Sequence, residues 1–127
     1  MKTEKKRILV VDDEAQNTRL LKLYLERTND YAVREENDAN AALSAAEEFK
    51  PDLILLDVMM PDIDGGELAA RFQASTKLKT VPTVFLTAAV TKEEVEAGGG
   101  LVGGAPFLAK PVVLSEVLDC LKQHLPG

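Results

Sequence analysis

A chain of 127 residues with 15 Lys+Arg against 21 Asp+Glu carries a formal charge of −6. That length fits one domain able to build its own core, and 46% apolar residues exclude a disordered chain. The acid excess argues against direct nucleic-acid binding, and one Cys with one His excludes an internal disulfide and any Cys/His zinc site. A single Cys suits a reducing compartment, so a cytoplasmic location is expected. The apolar run that follows Met1–Arg7 stops at Val11. It is too short for a signal core or a membrane span, so no membrane insertion is expected.

In chain order, Ile8–Val11 is a β-branched-rich run stopped by Asp12-Asp13-Glu14, as in a strand buried on both faces. Glu14 to Arg27 predicts a helix whose apolar stripe draws on Leu20, Leu21, Leu23, Tyr24 and Leu25. Tyr31 to Glu35 is a strand candidate. Asp38 suits the N-cap of an Ala-rich helix through Glu48, which Pro51-Asp52 ends. Leu53–Leu56 is a second buried strand, again ending on an acid, Asp57. Pro61 to Gly66 has turn chemistry, and Glu67 to about Ser75 predicts a third helix. Val81–Leu86 predicts a strand ending at Thr87. Thr91 caps a short expected helix, Lys92 to Ala97, before a glycine cluster. Pro106 to Ala109 predicts the last strand. Val112 to Leu125 predicts the last helix, with Leu114, Val117, Leu118, Leu121 and Leu125 as its apolar set. Strands alternate with helices over short loops, which implies right-handed βαβ units and a parallel α/β sheet covered on both faces.

Functional groups in such sheets collect at the carboxyl ends of the strands. Asp12-Asp13, Asp57, Thr87 and Lys110 all stand at such ends. Singly, each has an ordinary explanation as a turn former, a helix cap or a solvated charge. Four strands delivering polar groups to one rim is a different matter. Clustered carboxylates repel, and a hard divalent cation relieves that conflict. Mg²⁺ suits one or two carboxylates, several waters and a phosphate, and Lys110 adds a compact positive charge. The combination points to phosphoryl transfer, with one Asp as the nucleophile.

Val10-Val11-Asp12-Asp13-Glu14, Leu55-Leu56-Asp57-Val58-Met59-Met60-Pro61-Asp62-Ile63-Asp64-Gly65, Leu86-Thr87-Ala88 and Phe107-Leu108-Ala109-Lys110-Pro111 together resemble the receiver domain of two-component response regulators, including chemotaxis receivers. The resemblance runs from about Arg7 to Leu125. It implies a flavodoxin-like, doubly wound, five-stranded parallel sheet in the order 2-1-3-4-5, with five flanking helices. It also implies a single receiver domain over residues 1–127, with its core at about 7–125 and no output domain. Asp57 would accept a phosphoryl group from the phosphohistidine of a sensor histidine kinase or phosphotransfer protein. Asp13, Asp57 and the Met59 carbonyl would hold Mg²⁺ directly, and Asp12 mainly through water. Lys110 and Thr87 would contact the phosphoryl group, and Phe107 would be a switch aromatic that follows Thr87. The signal would pass to a downstream protein through the surface of the Lys92–Ala97 helix, the last strand and the last helix. Such a domain would catalyse its own phosphorylation, could catalyse its own dephosphorylation, and is not a turnover enzyme.

Rival readings divide by residue. Gly98-Gly99-Gly100-Leu101-Val102-Gly103 matches G-x-G-x-x-G, yet it follows a helix and leads to a strand, the reverse of a dinucleotide site. A flavin site would need donors, not Asp12-Asp13-Glu14, after the first strand. A Mg²⁺-dependent aspartyl-phosphate phosphatase and a receiver-like interaction module that takes no phosphate both remain open. His124 is read as a polar helix-end residue and Cys120 as packing. Glu35, Glu36, Glu47 and Glu48 are read as solvated surface. Five of eight glycines lie between Gly98 and Gly104, where the family keeps a fuller fourth helix. A short or frayed helix and a mobile or differently built output surface are expected there.

Overall fold

The computed structural model describes residues 5–58, 65–87, 101–102, 105–109 and 113–125. The elements are β1 (Lys6–Val11), α1 (Ala15–Arg27), β2 (Tyr31–Glu36), a 3₁₀ turn (Ala39–Ala41), α2 (Ala42–Phe49), β3 (Leu53–Asp57), α3 (Gly65–Ala74), β4 (Thr83–Thr87), β5 (Leu101–Val102), β6 (Ala105–Ala109) and α4 (Leu114–His124). Strands lie in the order β2-β1-β3-β4-β6-β5. The first five of these pair in parallel, and counted among themselves they run 2-1-3-4-5, as expected. The two-residue β5 is an addition to that plan, paired antiparallel to β6 through Leu101↔Pro106 and Val102↔Ala105.

Period-two alternation along the apolar strands divides the core. Ile8, Val10, Leu53, Leu55, Val84 and Leu86 face one side, with Leu21 and Leu25 of α1 and Val117 and Leu121 of α4. Leu9, Val11, Ile54 and Leu56 face the other, with Ala42 and Ala46 of α2 and Leu68 and Phe72 of α3. The sheet is therefore covered on both faces, which is why the strands read as continuous apolar runs. The buried residues of α2 are all alanines: Ala42, Ala45 and Ala46.

Several local expectations change. In α1 only Thr18, Leu21 and Leu25 are buried, while Leu20, Leu23 and Tyr24 remain exposed. Five apolar residues within six positions exceed what one helical face can present. Asp38 does cap, accepting from Asn40 N at 2.9 Å, but it opens the 3₁₀ turn that precedes α2. Lys50 ends α2 in the left-handed region, φ 54°, ahead of Pro51. Helix α3 starts at Gly65, two residues before the expected Glu67. Four α-helices occur among the described residues, and the expected Lys92–Ala97 helix lies outside them. Of the glycine-rich segment, only Leu101-Val102 is described, as a strand.

Cys120 packs in the core beside α1, and burial pushes its thiol up from 9.0 to about 11. Burial, with Asp30 adjacent, also raises Tyr31. Both groups hold their protons longer folded than unfolded, so both favour the fold below their ordinary pKa values. For Cys120 that contribution fades as pH rises from 9.0 past about 11. The unfolding midpoint of the chain should therefore fall across that interval, and should fall less steeply in Cys120→Ala. Leu55→Ala, at a position with no exposure, should cost about 3–5 kcal/mol in denaturant unfolding.

Candidate phosphoryl and cation site

Parallel pairing fixes where the acids meet. Val11 pairs with Leu56, so the next residues, Asp12 and Asp57, stand level at the carboxyl edge of β1 and β3. Asp57 pairs in turn with Leu86 of β4, and Val58 N donates to Leu86 O at 3.0 Å. Asp12 and Asp57 are buried, at 1% and 4% exposure, and Asp13 is exposed. Each of the three acids offers a carboxylate oxygen, and these atoms lie within 4.8 Å of one another. An all-oxygen, anionic donor set with one solvent-facing member fits a hard divalent cation that keeps part of its water.

Asp12 has a second task. Its Oδ1 accepts from Glu14 N at 2.9 Å, closing an Asx turn into α1. Its Oδ2 accepts from Asn17 Nδ2 at 3.4 Å, and its own N–H donates to Glu36 O at 3.1 Å. The turn-former and cluster readings of this acid therefore both hold.

Thr87 ends β4, where its backbone pairs with Ala109, and Asp57 pairs with the residue just before it. Phe107 is half-buried in β6, stacked on Phe85 with ring centroids 5.1 Å apart. Met59 and Lys110 lie outside the described residues. Thus Asp12, Asp13 and Asp57 come together as expected, while Thr87 and Phe107 lie on the neighbouring strands.

The solvated-surface reading holds for the exposed Glu48 and is corrected for Glu35, Glu36 and Glu47, which are half-buried and hydrogen-bonded. Glu35 Oε1 accepts from the Thr18 hydroxyl at 2.9 Å, and Glu36 Oε2 accepts from Asp38 N at 3.1 Å. Glu47 Oε2 accepts from Ser75 Oγ at 2.8 Å, and Glu48 pairs with Arg34 at 3.3 Å. Sequence reasoning also passed over Asn17, Thr18 and Asn37. The available signal was the polar end of β2, Glu35-Glu36-Asn37, a strand end like the others.

A family model described as "Response regulator receiver domain" matches residues 8–122. The chain belongs to that family. It is 40% identical over 124 residues to the transcriptional regulatory protein ResD of Bacillus subtilis, covering 97% of this chain and 49% of ResD. The chain spans about half the length of most of the curated relatives it matches. A putative response regulator from Chloroflexus aurantiacus superposes with a TM-score of 0.78 at 31% identity, covering 94% of this chain and 97% of that one. Chemotaxis protein CheY4 of Vibrio cholerae gives 0.81 at 27%, covering 96% and 100%. This chain is therefore a response regulator receiver domain of the kind found in two-component systems. Its acidic pocket could hold a metal ion, and no helix among the described residues is long and apolar enough to cross a membrane.

Asp13 is the most exposed of three crowded carboxylates, so neutralising it relieves repulsion at little desolvation cost. Asp13→Asn should raise the unfolding midpoint of the metal-free receiver at low ionic strength. Added salt should shrink the difference.

Proposed function

We propose that this receiver is a Mg²⁺-dependent phosphoacceptor switch with Asp57 as the acceptor. The observation that carries the reading is the burial of Asp57 at 4% exposure within 4.8 Å of two further carboxylates. A lone buried acid there would be costly, whereas an acid facing a cation and a phosphoryl group is stabilised.

The donor is the phosphohistidine of a sensor histidine kinase or phosphotransfer protein. An Asp57 carboxylate oxygen attacks phosphorus, the P–N bond breaks, and the imidazole leaves with the bonding pair. The product is an acyl phosphate on Asp57. Asp13, Asp57 and the Met59 carbonyl would hold Mg²⁺, with Asp12 acting through water because its oxygens already serve Glu14 and Asn17. Bound there, Mg²⁺ would supply charge neutralisation for the transferring phosphoryl oxygens. The Lys110 ammonium pairs with the phosphoryl group, and the Thr87 hydroxyl donates to it. These contacts strengthen as the phosphoryl group arrives and persist in the product, so they both speed transfer and bias the switch by their differential energy. Phe107, stacked on Phe85 in the strand beside Thr87, couples that bias to the surface of the last strand and helix. From there the signal passes to a downstream protein. The chain promotes its own phosphorylation and does not turn over a metabolite. A cytoplasmic setting suits the single buried Cys.

Incubation with a small acyl phosphate donor and Mg²⁺ should add one phosphoryl group per chain, read by intact mass. Asp57→Asn or a chelator should abolish it, and Lys110→Ala or Thr87→Ala should slow it or weaken its effect on conformation. Undiminished labelling of Asp57→Asn would overturn the assignment. Continuous turnover of small phosphoesters would favour a phosphatase instead.

A further inference from the structure

The carboxyl end of β2 is tied to the acid cluster without supplying a carboxylate to it. Asn37 follows that strand, and its side-chain amide donates to the Asp12 carbonyl oxygen at 2.8 Å and to Thr18 Oγ1 at 3.0 Å. An Asn amide carries two N–H donors, so both bonds form together. Thr18 is fully buried in α1, and its hydroxyl lies 2.9 Å from Glu35 Oε1 and 3.1 Å from Ala15 O. With its lone pair facing Asn37, the hydroxyl hydrogen points at those acceptors. The chain Asn37 to Thr18 to Glu35 therefore has one consistent direction and ends on a group that only accepts. That direction holds the Asn37 amide with its nitrogen toward Asp12.

The carbonyl that Asn37 grips belongs to the peptide unit joining Asp12 to Asp13. Peptide planarity means that holding this oxygen orients the whole plane, including the N–H of Asp13 from which that residue extends. The preceding residue, Glu36, holds the other side of Asp12 through its carbonyl. Asp13 is exposed, and among the described residues no hydrogen bond or ion pair holds its carboxylate. Its carboxylate extends from the backbone that Asn37 and Glu36 hold.

We propose that Asn37 is a positioning residue for the cation site. By clamping the Asp12–Asp13 peptide, it aims the Asp13 carboxylate at the cluster before the cation arrives. This rests on the reading of the cluster as a divalent-cation site. Groups that orient metal ligands typically change affinity by about 10–100-fold when removed.

The test is a Mg²⁺ titration followed by backbone amide NMR shifts, on the parent chain, Asn37→Ala and Asn37→Asp. Asn37→Ala should keep a native metal-free spectrum away from the site and bind Mg²⁺ about 10-fold more weakly. Asn37→Asp keeps the side-chain shape but loses both donors and adds a negative charge. Charge alone would tighten Mg²⁺ binding, whereas loss of the clamp should weaken it. If Asn37→Ala fails to fold, Asn37→Asp carries the same test. Parent-like affinity in folded Asn37→Ala, or tighter binding in Asn37→Asp, would overturn the role of Asn37 and leave the cluster reading intact. A parent chain that does not respond to Mg²⁺ would overturn the cluster reading, and the role of Asn37 with it.

Discussion

Parallel pairing of β1 with β3 is the constraint on which the site depends. Strands that run in one direction end on one edge, and the Val11↔Leu56 register brings Asp12 and Asp57 to the same level there. Nothing about two carboxylates favours that closeness. The force that imposes it is the burial of Ile8 to Val11 and Leu53 to Leu56, all at 0% exposure. Each such side chain contributes about 1.5–3 kcal/mol when removed from water. Together they outweigh the few kcal/mol of repulsion among partly hydrated acids. The site is a strained rim on a strongly held sheet.

Structural and functional duties share atoms at Asp12. Its Oδ1 closes the turn into α1, and its backbone is gripped from the β2 side by Glu36 and Asn37. The connection from strand to helix and the acid cluster are therefore built by one residue. A side chain already committed to the turn has less freedom to reorganise around a ligand. Asp13, one residue on, extends from the peptide that Asn37 holds.

The sheet was legible because each central strand is an unbroken apolar run stopped by a polar residue, as at Val11-Asp12 and Leu56-Asp57. The strand order came from family resemblance. No property of β2 in isolation says that it pairs beside β1 rather than elsewhere. The acid cluster was legible because strand ends share an edge. The same logic at Glu35-Glu36-Asn37 would have found the network around Thr18, but a threonine among leucines carries no mark of complete burial. The surface and core of α1 were not separable by composition, since Leu20, Leu23 and Tyr24 differ from Leu21 and Leu25 only by angle around the axis. The small β5 was signalled only by Val102-Gly103-Gly104-Ala105, a glycine pair between apolar residues of the kind that joins hairpin strands.

The two-sided burial of β1 and β3 has a consequence for how the chain finds its alignment. Where one sheet face is wet, a one-residue slip turns apolar groups outward and is rejected by water. Here both faces are dry, so a slipped Ile8–Val11 would still be apolar on each side. Alignment must then be read from polar groups at the strand ends. Asp52 provides one such reading at the start of β3. Its carboxylate accepts from Arg7 N at 2.7 Å, and its own N–H donates to Arg7 O at 2.7 Å. The Arg7 side chain reaches Lys50 O at 3.0 Å. A slip of one residue would break all three contacts at that end and separate Asp12 from the level of Asp57 at the other. Arg7 and Asp52, at the far end of the two strands from the acids, thus serve as the vernier that sets their spacing.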